Sequence, residues 1–238
     1  MADPCLEFHD LSHGWVDSPP LFQNFNAELE AGQITALVGL SGCGKSTLLK
    51  LAAGLLLPQA GSIVGRYQRS AMVFQSPSLL PWRTATRNTA LPLELRQHPD
   101  ADTQAQQMLD KVGLQGAYDK LPHEMSGGMK MRCAIARALV VQPDLLFLDE
   151  AFSALDALTR RDVHALFLQL YSDLGFTALM VTHDIEEAVL LADRIWVLKG
   201  PEAATVESIQ VKMDRPRAPS WRHSSDFGAV CASVESAL

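Results

Sequence analysis

"GLSGCGKST", residues 39–47, is the stretch that decides the fold. It fits the spacing G-x-x-x-x-G-K-[ST] on Gly39, Gly44, Lys45 and Ser46. Glycine at these places lets backbone N–H groups converge on phosphate oxygens where a side chain would collide. Lys45 is placed to neutralise β- and γ-phosphate oxygens, and the Ser46 hydroxyl to be a ligand for Mg²⁺. Ser41, Gly42, Cys43 and Thr47 complete the cradle. "ITALV" precedes the motif as a strand and "STLLKLAAGLLL" follows it as a helix, two neighbours that a chance glycine-rich turn lacks. The stretch reads as a nucleotide site. Within it, backbone dipoles and Lys45 are expected to lower the pKa of the Cys43 thiol.

Outward from the loop, residues 5–38 alternate apolar and polar in short runs, which suits antiparallel strands leading into a buried one. "AMVFQ", 71–75, reads as another short buried strand. From Ser76 to about Pro122 strand-like runs vanish, prolines appear at 77, 81, 92 and 99, and helical patches such as "ADTQAQQMLDKVGL" take over. "DLLFLDE", "FTALMVTHD" and "RIWVLKG" are apolar runs of strands buried on both faces of a parallel sheet, with helical segments at 157–173 and 184–192 between them. Strand, helix, strand, helix predicts a doubly wound α/β core with an antiparallel β subdomain and an inserted helical subdomain. The expected division is one domain: a nucleotide-binding core over about 1–75 and 140–215, a helical lobe over about 76–139, and a polar tail over about 216–238.

"LLFLDE" puts Asp149 and Glu150 at the carboxyl end of a strand, where α/β sheets bind ligands. Beside a phosphate loop, Asp149 suits Mg²⁺, directly or through water, and Glu150 suits the base that polarises an attacking water. Alone, such a pair is often just a helix cap. His183, in "MVTHD", follows another buried strand and suits a γ-phosphate contact, and Gln75 suits Mg²⁺ or the water. An aromatic near the first strands should stack on adenine. Trp15 is the best placed, with His13 and Phe22 as alternatives and a plain core or surface role as another reading.

"HEMSGGMKMRCAIARAL", 123–139, is written like a second anion-gripping helix start, far from the first. A helix cap at Ser126 accounts for part of it. A chain with one phosphate loop has no evident need of two grips.

The totals restrict the partners. Net charge is -7, with 20 basic against 27 acidic residues, so a nucleic acid is not expected. "MADPCLEFHD" has no basic start or long apolar run, which argues against a secretory signal. Nothing approaches the ~18 consecutive apolar residues of a membrane span, so membrane contact is expected through a partner. Cysteines 5, 43, 133 and 231 show no paired spacing and read as free thiols of a reducing cytosol.

The order of phosphate loop, Gln75, "MSGGM", "LLFLDE", "SALD" (153–156) and His183 resembles the ATP-binding subunit of ABC transporters over about residues 5–200. The resemblance implies that two copies pack head to tail. The signature Ser126, Gly127 and Gly128 of one would then close over the ATP and Mg²⁺ held by the other, which answers the question of the second grip. It implies also that "SALD" crosses that interface, that Gln75 senses a transmembrane permease, and that a solute-binding protein delivers the cargo. The chain would then sit at the cytoplasmic face of the plasma membrane. "VFQSPSLLPWRTATRN", "DEAFSALDALTRRD", "THDIEEAVLLADRI" and the closing "DRPRAPS" are most similar to importers of the nitrate, sulfonate and taurine group, with thiamine-precursor importers close by. The family usually has proline after its catalytic glutamate. Ala151 stands there instead, a loss of about 0.4–1 kcal/mol of loop rigidity and of no catalytic group. A soluble ABC ATPase of DNA repair or translation is the alternative; long coiled-coil insertions or a second cassette would mark it, and neither is present.

Overall fold

Five-residue apolar runs become buried strands here, and the glycine and proline clusters become the turns between them. The computed structural model describes residues 4–15, 19–200, 205–213, 215, 217 and 219–238. Asp214, Pro216 and Ala218 of "DRPRAPS" lie outside them.

The elements follow in chain order. β1 (Pro4–His13), β2 (Phe22–Glu30) and β3 (Ile34–Gly39) lead to α1 (Lys45–Ala52), then β4 (Ala60–Gly65) and β5 (Ser70–Phe74). Three helices come next: α2 (Ala85–Glu94), α3 (Ala101–Lys111) and α4 (Gly127–Leu139). The chain then alternates through β6 (Leu145–Asp149), α5 (Ala157–Leu174), β7 (Thr177–Val181), α6 (Ile185–Leu191), β8 (Arg194–Leu198) and β9 (Glu207–Gln210), and ends in α7 (Ser225–Ala237). This is the α/β architecture the patterning predicts.

Two compact units form, one from residues 1–67 with 177–238 and one from 68–176. In the first, β2, β1 and β4 make an antiparallel sheet in that order. β7, β3 and β8 run parallel, and β9 closes the edge antiparallel to β8. Every residue of β7 is buried, as are the first five of β3, which explains their unbroken apolar character. Phe8, Phe25, Phe22 and Trp196 are all buried and meet edge to face, with ring centroids 5.5–6.3 Å apart. Each such side chain stabilises the fold by about 1.5–3 kcal/mol through burial.

In the second unit β5 and β6 run parallel, and α2, α3 and α4 pack together as the helical lobe. Thr84, Ser126 and Asp156 cap α2, α4 and α5 by accepting from Arg87 N, Met129 N and Thr159 N.

The polar tail departs from expectation by being helical. Ser224 caps α7 by accepting from Phe227 N, and Phe227, Val234 and Ala237 are buried along one face. Their spacing is helical, but it is diluted by serine and alanine, so composition reads as polar. Two arginines join the segment before α7 to the end of α6. Arg217 donates to the carbonyls of Val189 and Leu190, and Arg215 to Leu191 O and Asp193. Among the described residues no helix is long and apolar enough to cross a membrane.

Candidate functional site

The phosphate loop links β3 to α1, both buried, so its two ends are held by the core. Lys45 is 7% exposed, and its ammonium donates to the carbonyls of Gly39 (2.8 Å) and Leu40 (2.9 Å). The cation is thus already inside the loop, at the start of α1. Gly44, the N-cap of α1, provides no side-chain hydrogen bond, whereas Asp184 accepts from the first turn of α6. The positive end of the α1 dipole is left to backbone N–H groups.

The glycines are required by space as well as by conformation. A Cβ on Gly39 would stand 2.7 Å from Leu198 O and 2.8 Å from Cys43 Sγ. One on Gly44, where φ is +101°, would stand 2.9 Å from Phe22 Cζ. Gly42 is exposed, has φ of +81° and meets nothing within 4 Å, so there conformation alone selects glycine.

Cys43 differs from the expectation. Its side chain is 2% exposed, and burial pushes the thiol pKa up, outweighing the nearby Lys45 ammonium that pulls it down. The loop's dipoles act on a sulfur that solvent does not reach.

Of the three adenine candidates, Phe22 is fully buried in the aromatic core and His13 is 7% exposed. Trp15 is 53% exposed, with the His13 ring edge-on at 5.5 Å. Only Trp15 offers a free ring face. His183 lies in the same unit as the loop and is exposed. Parallel pairing of Leu37 with Val181 brings both to the carboxyl edge of one sheet.

The second unit assembles the acids. Phe74 pairs with Asp149, so Gln75 and Glu150 follow side by side at the ends of parallel strands. Gln75 Nε2 donates to Ser153 Oγ (3.2 Å), and Ser153 Oγ donates to the Glu150 carbonyl (2.8 Å). Glu150 has φ of +47°, a left-handed conformation that costs a non-glycine residue about 1–2 kcal/mol. The resemblance implies for Ser153, the first residue of "SALD", only a place in the interface loop; its bonds to Gln75 and Glu150 need the turn that returns it to Glu150.

Ser126 and Gly127 are exposed at the start of α4, and Gly128 is buried. Ser46, Asp149 and Gln75 present hydroxyl, carboxylate and amide oxygens, hard donors that suit Mg²⁺. The loop at 39–47 suits a triphosphate because Lys45 lies inside it and Gly39 and Gly44 pack against Leu198 O and Phe22 with no room for a β-carbon.

A strand–loop–helix cradle with a buried lysine defines a nucleotide-binding cassette. The ABC transporter family profile matches residues 22–153, and the chain belongs to that family. It is 45% identical over 207 residues to the nitrate import ATP-binding protein NrtC of Synechococcus elongatus, covering 82% of this chain and 31% of that protein. It is 43% identical over 215 residues to the aliphatic sulfonates import ATP-binding protein SsuB 1 of Burkholderia cenocepacia, covering 88% and 65%. The chain therefore spans less than two thirds of these relatives' length. Among solved structures, a dimeric ATP-binding cassette in a post-hydrolysis state, bound to ADP and Pi, matches with TM-score 0.74 at 25% identity, over 88% of this chain and 100% of that one.

Proposed function

We propose that this chain is the ATP-hydrolysing subunit of a small-solute importer, working as a head-to-tail pair on a permease. The observation that carries the reading is Lys45, buried with its ammonium inside a loop whose Gly39 and Gly44 have no room for a β-carbon. In this reading residues 1–75 and 140–215 form the nucleotide-binding core, 76–139 the helical lobe that carries the signature, and 216–238 the C-terminal segment.

Lys45 would exchange loop carbonyls for β- and γ-phosphate oxygens, with the N–H groups of residues 41–47 completing the cradle. Trp15 would stack on the base. Ser46, Asp149 and Gln75 would hold Mg²⁺, which when bound offsets the charge that develops on the phosphate oxygens. Glu150 would take a proton from a water whose oxygen attacks the γ-phosphorus as the bond to the bridging oxygen breaks, giving ADP and phosphate. His183 would donate to the γ-phosphate. Ser126, Gly127 and Gly128 would serve the nucleotide of the other copy, a reading the dimeric neighbour supports.

The import names of the relatives support an anionic cargo of the nitrate or sulfonate kind, with a thiamine-precursor-like molecule as the other class. Permease subunits would hold the pair at the cytoplasmic membrane face, and a solute-binding protein would deliver the cargo. The test is Lys45→Ala, which should abolish binding of ATP with Mg²⁺ in calorimetry and leave thermal unfolding nearly unchanged. Wild-type affinity in that variant would sink the reading.

A further inference from the structure

Arg137 sits nearly three turns into α4, on the helix that begins with the signature, yet it does not face solvent like an ordinary helical arginine. Its guanidinium spans two consecutive carbonyls of a different segment: Nη2 donates to Pro77 O (2.8 Å) and Nη1 to Ser78 O (2.9 Å). Partial burial lowers the pKa of the group. Ser78 itself is left-handed, with φ of +47°, and returns its hydroxyl to Ser76 O. A short irregular loop is therefore held in a strained conformation by a planar two-pronged donor, a task that lysine's single ammonium performs poorly.

The other end of the same loop is pinned as firmly. Asn88 is fully buried, accepts from Leu80 N, and donates to the carbonyls of Leu80, Arg83 and Thr84. Between the two anchors stands Trp82, 73% exposed, in a loop that starts just after Gln75. One helical turn before Arg137, Cys133 meets Thr89 and Ala85 O of α2, each at 3.7 Å. The loop, α2 and α4 thus make one mechanically continuous block. In it, Arg137 is the direct tie between the Trp82 loop and the helix whose first residues are Ser126–Gly128.

We propose that Arg137 is a positioning residue that transmits the nucleotide state felt at Ser126–Gly128 to the Trp82 loop. The proposal rests on the head-to-tail reading above. Closing of the signature onto the partner's ATP displaces α4 along its length, and the guanidinium carries that displacement to the carbonyls of residues 77 and 78. Loss of the guanidinium leaves the loop held by Asn88 and by the Arg83–Glu94 pair, with no tie to α4.

The whole chain labelled with 5-fluorotryptophan gives four fluorine resonances, and Trp82→Phe identifies the one of interest. In a Glu150→Gln background, ATP with Mg²⁺ should shift the Trp82 signal while sedimentation reports the dimer. Arg137→Gln should still dimerise with ATP and lose the Trp82 shift. Arg137→Lys, the variant that preserves charge and guards against a folding defect, should lose most of it as well. A full shift in either variant overturns the proposal, as does an unmoved Trp82 in the parent when the dimer forms. If the parent shows neither a dimer nor a response at Trp15, the head-to-tail reading fails and the proposal fails with it.

Discussion

Thr159 Cγ2 occupies the place where a β-carbon on Gly128 would have to go, 2.5 Å from its ideal position. The contact joins the first turn of α4 to the first turn of α5. Those two turns are capped by Ser126 of "MSGG" and Asp156, the last residue of "SALD". Neighbouring Gly127 has nothing within 4 Å of its own ideal β-carbon.

Two adjacent glycines should therefore respond oppositely. Gly128→Ala overfills the contact and is expected to lower stability by about 1–3 kcal/mol. Gly127→Ala should hold stability or raise it by up to about 1 kcal/mol, as glycine-to-alanine changes do at helical positions with free space. Chemical denaturation of the two variants measures both, and equal losses would refute the packing account.

Glu150→Gln should abolish steady-state hydrolysis and leave ATP binding intact. Without a base to activate water the closed pair does not discharge, so ATP with Mg²⁺ should accumulate it. Size-exclusion chromatography checks the outcome. A variant that stays monomeric with ATP, or that hydrolyses at the parental rate, removes Glu150 from the role.

Mixed dimers test whether the two grips serve different nucleotides. Lys45→Ala breaks a copy's own phosphate site, and Ser126→Arg breaks the one it lends. Each homodimer has two broken sites, but a mixed dimer has one whole one, so random mixing should restore about a quarter of parental activity if sites act independently. Single-turnover hydrolysis is the assay to use where sites act only as a pair. No recovery in dimers shown to be mixed would return "MSGGM" to its own chain's nucleotide, or to helix capping alone.

Cys43 is expected to alkylate slowly in the folded chain, because burial both hides the sulfur and raises its pKa. Cys231 is half-buried and should react first: burial and then Glu186 push its thiol up as well, so access decides the order. Peptide mapping after a short iodoacetamide pulse decides it. Fast labelling of Cys43 would mean that the loop opens readily.

Asp144 accepts from Gln68 N (2.8 Å) and Arg69 N (2.9 Å), and hydrogen bonding from the Arg69 and then the Gln68 backbone holds its pKa below the usual 3.8. A depressed carboxyl pKa contributes stability that is present above pH 3.8 and is lost as pH falls through the folded value. Asp144→Asn should then lower the melting temperature at pH 7, with the gap to the parent closing below pH 3.8. A gap independent of pH would assign the loss to shape rather than charge.

Much of the fold was legible because its signals are local. The run Leu145–Leu148 is apolar throughout since it is buried on both faces, and glycine at 39 and 44 announces a cradle by spacing alone. What stayed hidden depends on residues far apart in the chain. Nothing near Cys43 in sequence reveals that the chain packs it out of solvent reach, and nothing near Gly128 announces Thr159. Phe22 reads as readily for a stacking aromatic as for a core one; only its contacts with Phe25 and Gly44 separate the two. The left-handed backbone of Glu150 had no signal at all, because glutamate rarely adopts it.

The ring of Phe22, lodged where Gly44 would carry a β-carbon, bears on how such a chain can be recombined. β2 and the start of α1 are separate stretches of gene, yet one supplies the wall and the other the missing side chain. A crossover between Glu30 and Ile34 that imported a first hairpin with a smaller ring would leave a void behind the phosphates. One that imported a larger ring would push the loop out of shape. The antiparallel sheet and the phosphate loop are therefore a single heritable unit, and functional chimaeras should break elsewhere.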